Sequence, residues 1–467
     1  MYERCGASGQ KVRDAKIARR VEAASLGGLG TAYEYLGQYD KAMDHHTRSL
    51  AIKEEIGDRQ GAASSLGDLG STYNSLGQYE KAIDHLTRSL TIAEEIGDRQ
   101  GVASSLGNLG NAYDRLGQFE KAIEYHTRSL AIQEELGDRQ GEANSLGNIG
   151  NAYDRLGQYD KAINHQTRSL AIREEIGDRR GMGSSLGNLG NAYNNLGQYE
   201  KAIDHLTRSL AIREEIGDRR GVAYSLGNLG NAYRSLGQYE KTIYHLTRSL
   251  AIAEEIGNRR GVAFSLGNLG MAYDNLGQYD KAIDHLTRSL AIQEEIGNRQ
   301  GVASILGNLG IAYDSLGQHD EAIDHLTRSL AVAEEIGYRR GVVSSMGSLG
   351  NAYNNLGQYE KAIDHLTCSL AIAEELGNRQ GVANSMGGLG SAYNSLGQYD
   401  KAINHLTRSL AIQEEIGDRR GVANSLGNLG IAYRRLGQYD KAIDHQTRSL
   451  AINEEIGNRQ GAANTVE

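Results

Sequence analysis

Residues 98–137 read DRQGVASSLGNLGNAYDRLGQFEKAIEYHTRSLAIQEELG. Asp98 follows Gly97 and precedes a helical pattern, which is the place of an N-cap. Ala103, Leu106, Leu109 and Tyr113 recur at three- and four-residue spacings and so share one helix face. Gly117 after Leu116 suits a left-handed C-terminal residue. The pattern predicts helix A over 99–116. Helix B is expected from Gln118 to about Leu136, with Phe119, Ala122, Ile123, His126, Leu130 and Ala131 as its inner stripe. Glu120 in its first turn complements the helix dipole, and Gly137 ends it.

Working outward, LGQY or a near copy recurs at Leu36, Leu76, Leu116, Leu156, Leu196, Leu236, Leu276, Leu316, Leu356, Leu396 and Leu436, a strict 40-residue step. A fixed period of this size marks one stacked array rather than several globules. Each unit is a helical hairpin that cannot bury its apolar face alone, so neighbours must stack. The division expected is 1–19 as a partial preceding helix or N-terminal cap, 20–457 as eleven repeats, and 458–467 as an incomplete twelfth. Repeats are numbered so that 98–137 is the third. Neither end carries a clear polar cap, so fraying at both ends or a chain cut from a longer product is expected.

The charge is −9, from 50 basic and 59 acidic residues. That balance argues against a broad nucleic-acid surface. Two cysteines, Cys5 and Cys368, are too few for a disulfide framework and point to a reducing, cytoplasmic setting. No apolar run approaches the length of a membrane span.

The string LGNAYxxLGQYxKAIxxxxxSL resembles the tetratricopeptide repeat. The matching residues are Leu109, Gly110, Tyr113, Gly117, Phe119, Ala122, Ser129 and Leu130. The usual unit has 34 residues and a late proline. The 40-residue form here, without proline, is similar to the Pins/LGN group of G-protein-signalling modulators, and kinesin light chains carry a related long repeat. The resemblance implies an all-α, right-handed superhelical solenoid of eleven helix-turn-helix repeats. It implies a scaffold that binds extended peptides along its inner wall, as a signalling or cell-polarity adaptor. Members of that group also carry GoLoco motifs for Gα; no such segment stands in this sequence. A sensor array whose effector domain is absent, and a kinesin-light-chain-like cargo adaptor, are the alternatives.

Internal comparison of the copies locates the wall. In repeat 7, Arg260, Phe264, Gly267, Met271 and Asp274 lie at intervals of 4, 7, 11 and 14 from the first, one side of a helix. By resemblance this stripe is concave. It is mostly polar, with Asn111, Asn151, Asn191, Asn231 and Asn351 at one slot, and Arg180, Arg220, Arg260 and Arg340 at another. An asparagine can donate to and accept from a peptide backbone at once, or it can tie neighbouring helices. Tyr224, Phe264, Met271 and Ile311 break the polar pattern in the middle repeats, with Arg234 beside Tyr224. Such a patch fits a partner with apolar anchors and nearby acidic side chains. The glycine at positions such as Gly107 and Gly147 lies on the same stripe, where close approach of a ligand backbone or, the reading favoured, of adjacent A helices is expected to offset its cost of about 1 kcal/mol.

Nothing in the chain reads as an enzyme. Helix B carries a histidine in most repeats, including His85, His165 and His205. Helices 8–10 Å apart or more cannot bring ligands 40 residues apart to within about 2 Å of one metal ion. No cofactor or metal is expected. The acidic pair Glu54-Glu55 and its copies read as a solvated outer edge. The basic run Lys11–Arg20 reads as the tail of a preceding helix, with Arg19-Arg20 in register with Arg59-Gln60.

Overall fold

The computed structural model describes residues 2–455, with side chains described over 15–455. These residues form 22 α-helices and no strand, alternating as helix A and helix B. Helix A of repeat 3 runs Arg99–Arg115 and helix B runs Phe119–Leu136. The Asp98 carboxylate accepts from the Gly101 backbone N–H at 2.9 Å, as the N-cap reading requires. Gly117 has φ +79°, which lets the chain leave helix A without steric cost. Repeat 9 departs from this pattern, because Tyr338 occupies its N-cap position and offers no side-chain hydrogen bond.

The first helix, α1, spans Tyr2–Tyr35 without a break. Where repeat 2 has Gly57-Asp58, this segment has Ile17-Ala18, so neither a left-handed glycine nor a cap stops the helix. The expected partial helix is thus continuous with helix A of repeat 1. The register holds, since Arg19 pairs with Glu55 at 2.7 Å. The expected twelfth repeat, 458–467, lies outside the described residues.

The chain divides into two compact units, Met1–Ile212 and Arg213–Glu467. In the first, Leu86 and Leu90 from helix B of repeat 2 pack with Val102, Leu106 and Leu109 from helix A of repeat 3. In the second, Leu286 and Leu290 meet Val302, Leu306 and Leu309 in the same way. The core is therefore shared between successive repeats, and each fully buried leucine contributes roughly 1.5–3 kcal/mol. The glycine after the central leucine makes this possible. A methyl group on Gly110 would lie 2.7 Å from the His126 ring, and one on Gly70 would lie 2.5 Å from Leu86 and 3.3 Å from the Ala82 carbonyl. The buried Ser129 hydroxyl donates to the Ala103 carbonyl at 2.8 Å, and Ser289 does the same to Ala263.

The outer surfaces carry two periodic features. Arg59 pairs with Glu95, and Arg99 with Glu135, each linking one helix A to the following helix B. Glu94 faces Arg128 at 3.9 Å. The acidic row is thus exposed, as read, and also joins repeats, each pair contributing about 0–1 kcal/mol. The histidine row has a separate cause. His85 stacks on Tyr73 with centroids 5.2 Å apart, while the Lys81 ammonium lies 5.6 Å from that tyrosine ring. His205 on Tyr193, with Lys201 over the ring, repeats the arrangement, and His325 stacks on Tyr313 in the same way. Each histidine belongs to its own hairpin.

Candidate peptide-binding groove

The stripe at intervals of 4, 7 and 11 lines one space in the second unit. Arg340, Ser344, Gly347 and Asn351, then Gln380, Asn384, Gly387 and Ser391, then Arg420, Asn424, Gly427 and Ile431 border a cavity of about 900 Å³. Helix B contributes Ser369, Gln413, Gln446, Ser449 and Asn453 to it. The residue at interval 14 does not belong. Asn354 donates to Ser391 at 3.4 Å and Asn394 to the Asn428 carbonyl at 3.0 Å, so this slot lies in the seam between A helices. Arg234, placed at that slot in repeat 6, is half-buried.

At Gly107, Gly347, Gly387 and Gly427 the stripe glycine does not serve close approach of adjacent A helices, whereas at Gly227 and Gly267 a side chain of the next A helix packs over it. Beyond Gly107, Gly347, Gly387 and Gly427, a methyl group would meet only the serine hydroxyl of the paired helix B, at 3.4–3.6 Å. That is ordinary contact, and it corrects the expectation from sequence. Where the groove is filled, side chains fill it. Phe264 lies 3.0 Å from the methyl position of Gly227, and Ile305 lies 2.8 Å from that of Gly267. In the first unit Arg173 covers Gly147, with Nη2 3.5 Å from its methyl position. Arg173 donates to the Gly181 carbonyl at 2.6 Å and to Asn144 Oδ1 at 3.3 Å, and burial lowers its pKa. In repeats 9–11 the stripe glycines Gly347, Gly387 and Gly427 carry no such filler and border the cavity.

The expected apolar residues are partly gathered at the groove. Tyr224, Phe264 and Ile311 are 46%, 42% and 40% exposed, large values for such side chains. Ile311 borders the cavity. Tyr224 lies under the Arg213 guanidinium at 5.4 Å, and Met271 is half-buried.

The asparagine ladder divides by unit. In the first, Asn148 Nδ2 donates to Asn111 Oδ1 at 3.3 Å, and Asn188 Nδ2 to Asn151 Oδ1 at 2.9 Å. These asparagines tie neighbouring A helices. Asn191 also has a partner. In the second unit Asn268 turns back onto the Phe264 carbonyl at 3.0 Å, and Asn231 Oδ1 is buried without a hydrogen bond.

Adjacent arginines differ sharply. Arg219, Arg259, Arg339 and Arg419 pair with Glu255, Glu295, Glu375 and Glu455. Their sequence neighbours on the stripe do not meet carboxylates in this way. Arg180, Arg220, Arg260 and Arg340 are exposed, and their guanidinium groups have no ion pair or hydrogen bond among the described residues. Arg420 donates to Asn275 Oδ1 at 2.9 Å and to the Tyr239 hydroxyl at 3.2 Å, and its charge acts on the Asp274 carboxyl without forming an ion pair. Asp418, which also borders the cavity, is occupied as an N-cap for Gly421.

The helix B residues of the wall escaped the sequence reading, although a signal existed. The slot of Arg173 runs Lys53, Ala93, Gln133, Arg173, Arg213, Ala253, Gln293, Ala333, Ala373, Gln413 and Asn453, far more variable than its neighbours. Among the described residues no group of three or more histidine, cysteine, aspartate or glutamate side chains is arranged to hold a metal, and no helix is long and apolar enough to cross a membrane.

Solved structures share this fold. A Rap protein complexed with competence and sporulation factor aligns with TM-score 0.58 at 17% identity, over 76% of this chain and 98% of its own. Aspartyl phosphate phosphatase F from Bacillus subtilis aligns with TM-score 0.51 at 16% identity, over 77% and 95%. A signal transduction ATPase with a tetratricopeptide repeat sensor from Pyrococcus horikoshii aligns with TM-score 0.51 at 17% identity, over 68% of this chain and 51% of its own. At such identities the likeness is one of fold. No curated protein sequence matches the chain. The sequence model of the tetratricopeptide repeat matches residues 21–95, 61–135, 101–175, 181–255, 222–295, 261–335, 341–415 and 390–455. With the hairpins, the shared cores and these matches together, the chain belongs to the tetratricopeptide repeat family.

Proposed function

We propose that the chain is a non-enzymatic protein-interaction scaffold that holds an extended, acidic peptide segment of a partner in the groove of repeats 9–11. One observation carries the reading. The stripe of three successive A helices borders a single cavity, and the cations on it lack the glutamate partners that their neighbours have. An unpaired surface guanidinium beside a polar cavity favours a carboxylate ligand, and arginine binds it in a bidentate geometry. Ile311 and Ile431 border the same cavity and offer apolar contact for an anchor residue. The resemblance of the 40-residue unit to the Pins/LGN group supports a role as a signalling or polarity adaptor.

The test is a peptide-display selection against the whole chain, followed by titration of the best binder. Arg340→Gln places in repeat 9 the residue that Gln380 supplies in repeat 10, so the fold is kept. It is expected to weaken an acidic peptide about tenfold, since hydrogen bonds to charged groups contribute about 1.5–3 kcal/mol. A combined Tyr224→Ser, Phe264→Ser, Met271→Asn, Ile311→Asn variant reports the apolar anchors. Enrichment of basic peptides, or none at all, would overturn the reading.

A further inference from the structure

We infer that Gly388 sets the register of the bound peptide, because it frees Asn351 to hold one of its main-chain amides. The inference rests on the peptide-binding reading above and adds the register at which the peptide is held.

The argument starts from the ties of the first unit. Asn111 and Asn151 each accept from an asparagine 37 positions later, Asn148 and Asn188. The corresponding partner of Asn351 is position 388. Most repeats place asparagine there, as in Asn148, Asn188 and Asn428, but repeat 10 reads MGGLGS and places Gly388. Without a side chain at 388 the tie cannot form. Asn351 Oδ1 leans into the vacated space, 2.9 Å from the position a methyl group on Gly388 would occupy. The Asn351 amide has no hydrogen bond among the described residues, is exposed, and borders the cavity. It therefore presents both a donor and an acceptor to whatever enters, the pairing that a peptide unit satisfies.

A second observation in the same cavity points the same way. Helix B of repeat 11 carries Gln446 where most repeats have leucine. Its Nε2 donates to the Gly427 carbonyl at 3.4 Å, while Oε1 is shielded from solvent and has no partner. A shielded acceptor at a cavity wall takes a donor from what enters the cavity, a water or a ligand N–H. The cavity thus holds two amides from different helices with hydrogen-bonding groups that no protein group occupies, and a peptide backbone has the alternating groups to meet both.

The substitution Gly388→Asn restores the tie with the residue that other repeats already use. The neighbours it must displace are the side-chain ends of Leu366 and Asn351. Using the full chain and the best acidic peptide from the selection, Gly388→Asn is expected to weaken binding about fivefold, the scale of one neutral hydrogen bond. Asn351→Ala is expected to do the same, and the double variant to lose no more than either alone. Thr127→Ala, on the exposed face of helix B in the first unit, is expected to leave affinity unchanged. Melting curves of each variant report the fold independently. If Arg340→Gln weakens the peptide while Gly388→Asn and Asn351→Ala do not, the inference fails and the peptide-binding reading stands. Additive losses in the double variant would also overturn the coupling. A chain that selects no peptide overturns both.

Discussion

Arg420 Nη1 donates to Asn275 Oδ1 at 2.9 Å, although the two residues are 145 positions apart. The same guanidinium reaches the Tyr239 hydroxyl, 181 positions away. Within the second unit, helix A of repeat 11 is thereby fastened to repeats 6 and 7. The fastener is also a cavity residue, so a ligand carboxylate on Arg420 competes with it. Arg420→Gln is expected to lengthen and broaden the distance distribution between spin labels at Glu240 and Asn424, in a background with Cys5 and Cys368 replaced. A distribution identical to the unsubstituted chain would show that the contact does not hold the turn.

Titration of His126 gives a local pH dependence. This side chain is buried against Gly110 in the slot that most repeats give to leucine, and burial lowers its pKa to about 4. The unfolded chain binds the proton near pH 6.5, so between pH 6.5 and 4 the unfolded state takes up more protons. Stability from this site is complete above pH 6.5 and falls as the pH drops, by about 2 kcal/mol at pH 5. Amide exchange in repeat 3 is expected to accelerate from pH 7 to pH 5, after correction for intrinsic rates. His126→Leu is expected to abolish the difference.

The two glycines of the LGNLG segment are expected to behave oppositely. Gly107→Ala meets only the Ser129 hydroxyl at 3.6 Å and is expected to stabilise repeat 3 by up to about 1 kcal/mol. Gly110→Ala drives a methyl group into the His126 ring and is expected to cost about 1–3 kcal/mol. Urea melts of the two variants check the signs.

Affinity for an acidic peptide is expected to fall with ionic strength, because Arg340 is exposed and its pairing with a ligand is screened. Titrations at 0.05 M and 0.5 M sodium chloride would measure this. A salt-independent affinity would place the binding energy on the apolar residues instead.

Much of this was legible in the sequence, for a physical reason. Helix period, N-cap and left-handed glycine are local properties, and the 40-residue copies state them repeatedly, so Asp98, Gly117 and the apolar face of Leu106 and Leu109 could be placed directly. The stripe at intervals of 4, 7 and 11 follows from helix geometry alone. The occupancy of the groove was not legible. Whether Gly147 is covered depends on how far Arg173 reaches from another helix, and whether Asn351 is tied depends on a residue 37 positions later. The histidine row was excluded as a metal site by distance, but its stacking on tyrosine needed the hairpin in three dimensions. The continuity of α1 depended on Ile17-Ala18, two residues whose effect is only the lack of a stop signal.

The most direct measurement of the central claim is photo-crosslinking of the selected acidic peptide to the whole chain, with the adducts located by mass spectrometry. A photoreactive residue beside the acidic side chain is expected to mark residues 340–351, 380–391 and 420–431. Adducts confined to the outer helix B surface, or to residues 15–212, would contradict a peptide seat in the groove of repeats 9–11.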